Sequence, residues 1–418
     1  MKNFNPWTYF SLTFLILILA GTIPLHFYTH LSFIDAFFTS TSAVCVTGLI
    51  VVDTAKLDIT SQIIILILIQ LGGLGVMILT SSILLFVKGF LDLKTKVLIQ
   101  KVGDYFSFYD IEKILKIVLL YTFISEFIGA LILSFGFLIE GFPLKKAIYF
   151  GIFHSISAFC NAGFSTFTNS LVGHNAIIKI TVMVLIILGG LGFFVIYDLL
   201  YEKHRVTVHS KIVLTTTIIL IIVGTIIIYF LNFGNISFID ALFQAVTPRT
   251  AGFNTVDLNS LSIESIFIIM LLMIIGASPG STGGGIKTTT FFLIFISCFK
   301  VIKGFSRIVV FKRKIDNYII LKSFSLFFIY SSIIMLATSL LMNTQKYSLL
   351  KCLFEVISAI GTVGLSLGIT SSLTFLGKII IIICMFIGRI GPASFIMMLT
   401  LKEKKSYIDY PEERVIIG

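Results

Sequence analysis

The stretch AFFTSTSAVCVTGL, Ala36 to Leu49, decides how this chain is read, because its layout returns three more times. In each copy a phenylalanine precedes a glycine by nine or ten positions: Phe38 and Gly48, Phe153 and Gly163, Phe243 and Gly252, Phe354 and Gly364. The glycines sit in CVTGL, CNAGF, RTAGF and GTVGL. A short apolar segment precedes each one and a long apolar segment follows. The short segments run from Leu31 to Ala43, Leu144 to Ala158, Ser237 to Thr247 and Ser348 to Ile360. As helices rising 1.5 Å per residue they reach only about 16 to 22 Å, so each stops partway through a bilayer. Their carboxyl ends carry partial negative charge and favour a cation. A returning loop is tolerated at that depth only where it is buried in protein or faces water. Glycine there permits backbone geometries that turn carbonyls toward an axis, and rings of carbonyls replace the hydration shell of potassium. Four such hairpins meeting at one axis describe a cation pore.

Composition sets the class independently. The chain has 418 residues, 57% of them hydrophobic and 12% charged, with a mean hydropathy of +1.06. That balance excludes a water-soluble core and points to an integral membrane protein. Eight apolar runs are long enough to cross: Trp7 to Leu25, Gln62 to Val87, Ile114 to Ile139, Ala176 to Leu200, Ile212 to Leu231, Ser262 to Ile302, Tyr318 to Leu341 and Phe375 to Leu401. The first is too long for the apolar region of a cleaved signal, and no small-x-small site follows it. Cys45, Cys160, Cys298, Cys352 and Cys384 are odd in number and scattered, which argues against a disulfide framework.

A formal net charge of +11 does not imply nucleic acid here. With loops assigned alternately to the two sides, 21 of the 31 Lys and Arg fall on the side shared by both termini, including Lys88, Lys94, Lys96, Lys101, Lys113 and Lys116 in one loop and Lys300 to Lys314 in another. The excess is the cytoplasmic-loop bias that orients a multi-pass membrane protein, so both termini are expected in the cytoplasm.

The chain divides into four modules of one plan: residues 1–103, 104–206, 207–316 and 317–418. The expected fold is therefore an all-α integral membrane protein of four helix, pore-helix, helix repeats (M1-P-M2), pseudo-fourfold around one ion pore. FIDAFF at 33–38 matches FIDALF at 238–243, and QLGGLGVMIL at 70–79 matches LGGLGFFVI at 188–196. The run from Ser262 to Ile302 is 41 residues, about 60 Å as one helix, so it has to break. Gly276, Pro279, Gly280, Gly283, Gly284 and Gly285 supply the break. Its GGGIKT end lacks the GxxxxGK[ST] spacing of a phosphate loop. Arg389 lies 11 residues after Lys378 and 13 before Lys402, near the middle of the last run, where an ionised side chain has to face water or a partner.

These residues resemble the Trk/Ktr/HKT superfamily of potassium translocation proteins, and within it the membrane subunit of a Ktr-type system. The family's four filter sequences match TSAVCVTGL at 41–49, SAFCNAGFST at 157–166, TPRTAGFNT at 247–255 and GTVGLS at 361–366. Its third-module loop matches GASPGSTGGGIKT at 276–288, GRIGP at 388–392 matches its pore arginine, and the tail YPEERVIIG is also similar. Trk-type subunits carry two further helices before the first module, and this chain starts directly with module one. The resemblance implies a selectivity filter of Cys45, Val46, Thr47, Gly48, Asn161, Ala162, Gly163, Thr250, Ala251, Gly252, Thr362, Val363 and Gly364, with potassium as substrate. It implies gating by the 276–285 loop and Arg389 below the filter, with Arg389 an electrostatic barrier. Lys287 either adds to that barrier or anchors the loop. Only GTVGL keeps the TVG triplet of potassium channels, so looser rejection of sodium is expected, and sodium stimulation stays open. The resemblance also implies a bacterial cytoplasmic membrane location, a homodimer with one pore per protomer, and a cytosolic nucleotide-binding regulatory ring. No dinucleotide fingerprint occurs in the chain, so no cofactor is expected on it.

Other residues receive structural roles. Arg249 is expected to pair with a pore-helix acid, with Glu355 at a similar pore-helix position, and Asp35 and Asp240 are read as ordinary helix N-terminal acids. His154 is read as a packed residue. No HExxH, GxSxG or paired-cysteine site appears, so no enzyme is expected. A coupled secondary transporter and a non-conducting scaffold are the rival classes, and glycines used only for helix packing are the rival reading of the four loops.

Overall fold

Each of the four short apolar segments forms a helix that ends at its glycine loop. The computed structural model describes residues 6–75, 111–201, 206–305, 307–392 and 395. The first module contributes α1 (Pro6–Thr29), α2 (Phe33–Val44) and α3 (Ile59–Leu74); the second α4 (Ile111–Ile139), α5 (Leu144–Phe159), α6 (Ala176–Gly190) and α7 (Phe193–Tyr201). The third has α8 (Val208–Leu231), α9 (Phe238–Val246), α10 (Ile263–Ile274) and α11 (Thr288–Ile302). A small hairpin, β1 (Val309–Val310) with β2 (Arg313–Lys314), leads to α12 (Asn317–Thr344), α13 (Leu349–Gly361) and α14 (Phe375–Ile390). The tail YPEERVIIG and the basic residues Lys88 to Lys101 lie outside the described residues.

The half-crossing helices α2, α5, α9 and α13 begin on good stop-and-start chemistry. Ser32 and Ser237 cap α2 and α9, each accepting from the amide of the acid three residues on, Asp35 and Asp240. Phe38, Phe153, Phe243 and Phe354, which mark the repeat in sequence, are all fully buried. Each module's second helix packs on the next module's short helix: α3 on α5, α6 on α9, α10 on α13, and α14 back on α2. The circuit therefore closes. The first helices α1, α4, α8 and α12 are continuous and apolar enough to cross a membrane. Their outward faces are apolar, as with Leu12, Ile16, Leu19 and Ile23 along α1, which suits contact with lipid tails.

The second helices correct the expectation of eight uninterrupted runs broken only in module three. The α3 helix stops at Leu74, before Gly75 at φ +79°. In module two, α6 and α7 meet at 88° across Leu191 and Gly192, the latter at φ +91°. The α14 helix stops at Ile390, before Gly391 at φ +89°. Module three breaks where expected, between α10 and α11. Left-handed glycine is the shared physical cause in modules one, two and four, since it ends a helix without a side-chain penalty, whereas the C-cap of α10 is Ile275 at φ −88°. The five cysteines are all free.

Candidate functional site

The four loops that follow the half-crossing helices share an unusual backbone. Two residues before each glycine stands a non-glycine at positive φ: Val46 (+55°), Asn161 (+58°), Thr250 (+76°) and Thr362 (+50°). Each glycine is positive as well: Gly48 (+89°), Gly163 (+71°), Gly252 (+79°) and Gly364 (+91°). Left-handed backbone is costly for a β-branched residue such as valine or threonine, and such strain concentrates at functional sites. Between these two positions the amide donates back to its own helix: Thr47 to Ser42 O, Ala162 to Ser157 O, Ala251 to Thr247 O and Val363 to Ser358 O, at 2.8 to 2.9 Å. The carbonyls of those same four residues accept no hydrogen bond from any described residue.

The glycines form a closed ring. A side-chain carbon built on Gly163 would lie 2.6 Å from Ala251 O and 3.1 Å from Gly252 Cα. The same construction on Gly48 meets Ala162 O and Gly163 Cα, on Gly252 it meets Val363 O and Gly364 Cα, and on Gly364 it meets Thr47 O and Gly48 Cα. The four unpaired carbonyl oxygens therefore lie against the four glycines, in the order of the chain. Hydroxyls fix the loops from behind: Ser42 Oγ accepts from Gly48 N and Ser358 Oγ from Gly364 N, both at 3.1 Å, while Ser157 donates to Phe164 O and Thr247 to Phe253 O. Asn161 is best turned so that its amide nitrogen donates to Ala158 O (2.9 Å) and Ile186 O (3.2 Å), which leaves its oxygen facing Thr250 Oγ1. Outside the ring is a cavity of about 530 Å³ that all four glycines line, and its charged lining residues are Asp53 and Asp257, both acids. A mouth with one sign of charge raises the local concentration of the opposite ion.

On the other side of the ring lies the loop between α10 and α11. The missing side chain of Gly283 is filled by Thr250, and Gly284 N donates to Thr362 Oγ1 at 3.0 Å. Gly276 N donates to Ile286 O at 2.9 Å, so the loop closes on itself. Pro279 and Gly280 sit elsewhere, against the break in module two, where Phe193 N donates to Gly280 O at 2.8 Å. In return Ser278 N donates to Gly190 O (3.0 Å) and Thr282 N to Gly189 O (3.3 Å). Two helix breaks from different modules thus satisfy each other's backbone at a depth where water is scarce.

Arg389 stands in the last turn of α14, and its guanidinium donates to Gly72 O, Gly73 O and Thr282 O. It therefore joins the carboxyl end of α3, where a cation is favoured, to the intramembrane loop. It occupies the place that Gly73 and Gly190 hold in modules one and two, each two residues before a left-handed glycine. Lys287 stands at the N-cap position of α11 without a side-chain cap bond, and its ammonium donates to Gly283 O at 2.7 Å. Among the described residues Arg249 pairs with no acid: its guanidinium donates to Thr217 Oγ1 at 3.2 Å. Glu355 instead accepts from Ser366 (2.8 Å) and Thr370, which explains why it is unavailable. Asp35 and Asp240 do more than cap helices. Lys378 reaches Asp35 at 2.5 Å and Lys179 reaches Asp240 at 2.7 Å, so these acids tie module four to one and module two to three.

Gly189, Gly190, Gly192 and Thr282, which bond or pack against the module-three loop and Arg389, were not singled out from the sequence. The signal was present in the repeated LGGLG at 71–75 and 188–192. His154 is packed as expected, with Nδ1 at 2.8 Å from Phe150 O and Nε2 at 3.0 Å from Ser165 Oγ.

A family model described as cation transport protein, TrkH, matches residues 5–410. This chain belongs to that family. It is 36% identical to the Ktr system potassium uptake protein B of Bacillus subtilis, over 100% of this chain and 97% of the relative. It is 41% identical to the Ktr system potassium uptake protein D of the same organism, over 93% and 90%. The potassium/sodium uptake protein NtpJ of Enterococcus hirae is 36% identical, over 100% and 98%. In fold it is similar to the crystal structure of the potassium transporter TrkH from Vibrio parahaemolyticus, with a TM-score of 0.75, 21% identity, and coverage of 93% of this chain and 83% of that one. The protein is thus a helical membrane transporter of the Trk/Ktr family, and the expectation of no enzymatic activity agrees with a family of transport proteins.

Proposed function

We propose that this protein takes up potassium across the bacterial cytoplasmic membrane through the ring of Gly48, Gly163, Gly252 and Gly364. The observation that carries this reading is the set of four carbonyls, Thr47, Ala162, Ala251 and Val363, each free of hydrogen bonds from described residues and each against the next glycine. Such oxygens replace part of the water shell of an alkali ion. The filter comprises the 13 residues from Cys45 to Gly48, Asn161 to Gly163, Thr250 to Gly252 and Thr362 to Gly364. The names of relatives as potassium or potassium/sodium uptake proteins support the substrate and leave a place for sodium.

The 276–287 loop is the gate in this reading. Gly283 and Gly284 press on Thr250 and Thr362, so the loop moves only if those contacts release. Arg389 latches it through Thr282 O and adds a positive charge below the ring that slows cations. The four modules, with the boundaries given above, each supply one quarter of the ring. Both termini lie in the cytoplasm, the protein works as a homodimer with one pore per protomer, and a cytosolic nucleotide-binding ring regulates it. Relatives named as components of Ktr systems support the partner. The basic hairpin segment, with Lys300, Lys303, Arg307, Lys312, Arg313 and Lys314, is a suitable surface for it.

Isotope flux in a bacterium lacking its own potassium uptake tests the proposal. Uptake of potassium and rubidium that exceeds sodium, with saturation, is expected. Equal uptake of the three ions, or no uptake, contradicts it. Repeating the measurement with and without a sodium gradient separates a pore from a coupled carrier.

A further inference from the structure

Glu126 is an acid in the middle of α4, 6% exposed, where a membrane helix ordinarily carries an apolar residue. The corresponding position in module one carries no acid. Ser155 Oγ donates to Glu126 O at 2.6 Å as Ser40 Oγ donates to Ile18 O at 2.7 Å, and Gly129 and Gly21, three residues further on, pack against those same serines. Ile18 is therefore the counterpart of Glu126 in module one, and it is apolar. The partner of Glu126 is equally out of pattern. Gln70 Nε2 donates to Glu126 Oε2 at 3.2 Å. Gln70 stands two residues before Gly72, and the corresponding positions before Gly189 and Gly388 are Ile187 and Phe386. Those three glycines correspond because each approaches a carbonyl in the last turn of a half-crossing helix, Val44, Phe159 or Ile360.

The third member is Cys160, the residue that ends α5, three positions before Gly163. Its thiol lies 3.6 Å from Gln70 Oε1 and 3.9 Å from Glu126 Oε1. A side chain on Gly73 would overlap Cys160 Sγ. Gly72 and Gly73 are the residues whose carbonyls hold Arg389. One end of this cluster is thus within a turn of the seat of Arg389, and the other is the start of the second glycine loop. No Lys or Arg among the described residues lies within ion-pair distance of Glu126. Buried without a counter-ion among the described residues, the Glu126 carboxyl accepts from Gln70 Nε2 and lies against the Cys160 thiol.

We propose that Glu126 is a positioning residue that couples the seat of Arg389 to the second glycine loop, holding Gln70 and Cys160 together through its carboxyl. The proposal rests on the transport reading above. It makes the module one and two interface specialised: a change in how Arg389 is held passes through Gln70 and Glu126 to Cys160, and so to Asn161, Ala162 and Gly163.

The test compares E126Q, E126L, Q70L and the E126L/Q70L double variant in whole cells lacking their own uptake. The readouts are the half-saturation for potassium, the maximal rate per membrane-inserted molecule, and the potassium to sodium uptake ratio. E126Q, which keeps the shape and an oxygen to accept from Gln70, is expected within about twofold of wild type. E126L and Q70L are each expected to raise the half-saturation about three- to thirtyfold, with the maximal rate affected less. The double variant is expected to lose no more than the worse single one, since the residues act as one unit. Wild-type half-saturation and ion ratio in E126L overturn the proposal, as does E126Q as impaired as E126L, or losses that simply add. Where E126L does not reach the membrane, Q70L decides on the same criteria. A wild-type protein that takes up no potassium defeats the transport reading itself and is recognised at the first measurement.

Discussion

Replacing Gly163 by alanine tests the ring with a control supplied by the same fold. Gly163 and Gly173 are both left-handed, at φ +71° and +85°, and both lie in the outer half of module two. Alanine at either position pays about 1 to 2 kcal/mol for that backbone. Around Gly173 there is open space, with no atom within 4 Å of the added carbon. At Gly163 the added carbon meets Ala251 O at 2.6 Å, where ordinary contacts begin at 3.4 Å. The neighbouring carbonyl therefore has to retreat by about 0.8 Å, the difference between those two distances. An error near 1 Å in a positioned group costs up to about a hundredfold in function. We expect Gly163→Ala to weaken apparent potassium affinity by about ten- to a hundredfold, or 1.4 to 2.8 kcal/mol, while Gly173→Ala leaves it near wild type. The assay is rubidium flux into proteoliposomes at matched protein content, with thermal unfolding measured on both variants. Equal half-saturation in the two variants would refute the reasoning, because the strain would be shared and the ring contact irrelevant.

Two further outcomes follow from named contacts. Arg389→Ala removes the bonds to Gly72, Gly73 and Thr282 together with the charge below the ring; a barrier of about 1 kcal/mol corresponds to about a fivefold rise in maximal flux, and an unchanged rate with normal expression would discard the barrier. Asp35→Ala should lower thermal stability by about 1 to 3 kcal/mol, between the exposed and fully buried limits, since its pair with Lys378 is partly covered; the exchange Asp35→Lys with Lys378→Asp should recover most of that loss, and no recovery would mean that the pair does not hold modules four and one together.

How far the sequence revealed this architecture depends on the range of the interaction involved. The four glycine loops were readable because a left-handed turn at the end of a half-crossing helix demands glycine locally, and the demand recurs at Gly48, Gly163, Gly252 and Gly364. The half-crossing helices were found within one or two residues at each end, since serine caps and a short apolar length are also local. The break at Gly192 was hidden in a long apolar run, because glycine inside such a run is compatible with a straight helix. What forces the bend is the loop of module three, which supplies Gly280 O and takes Gly189 O and Gly190 O. Pairings between modules were likewise out of reach: Asp35 looks like a helix-start acid until Lys378, 343 positions away, is placed beside it. Arg249 was assigned a pore-helix acid as partner, whereas in the fold it donates to Thr217 and Glu355 is engaged by Ser366 and Thr370. Arg389 looked mid-helix for the same reason that Gly192 did, its helix ending at Ile390 where the apolar run continues.

The most direct test of the central claim is an ion-resolved map of the protein prepared in rubidium or thallium in place of potassium. The account predicts anomalous density on the axis enclosed by Gly48, Gly163, Gly252 and Gly364, within coordination distance of the Thr47, Ala162, Ala251 and Val363 carbonyls. Ion density confined to another part of the molecule, with that axis empty at saturating rubidium, would contradict it.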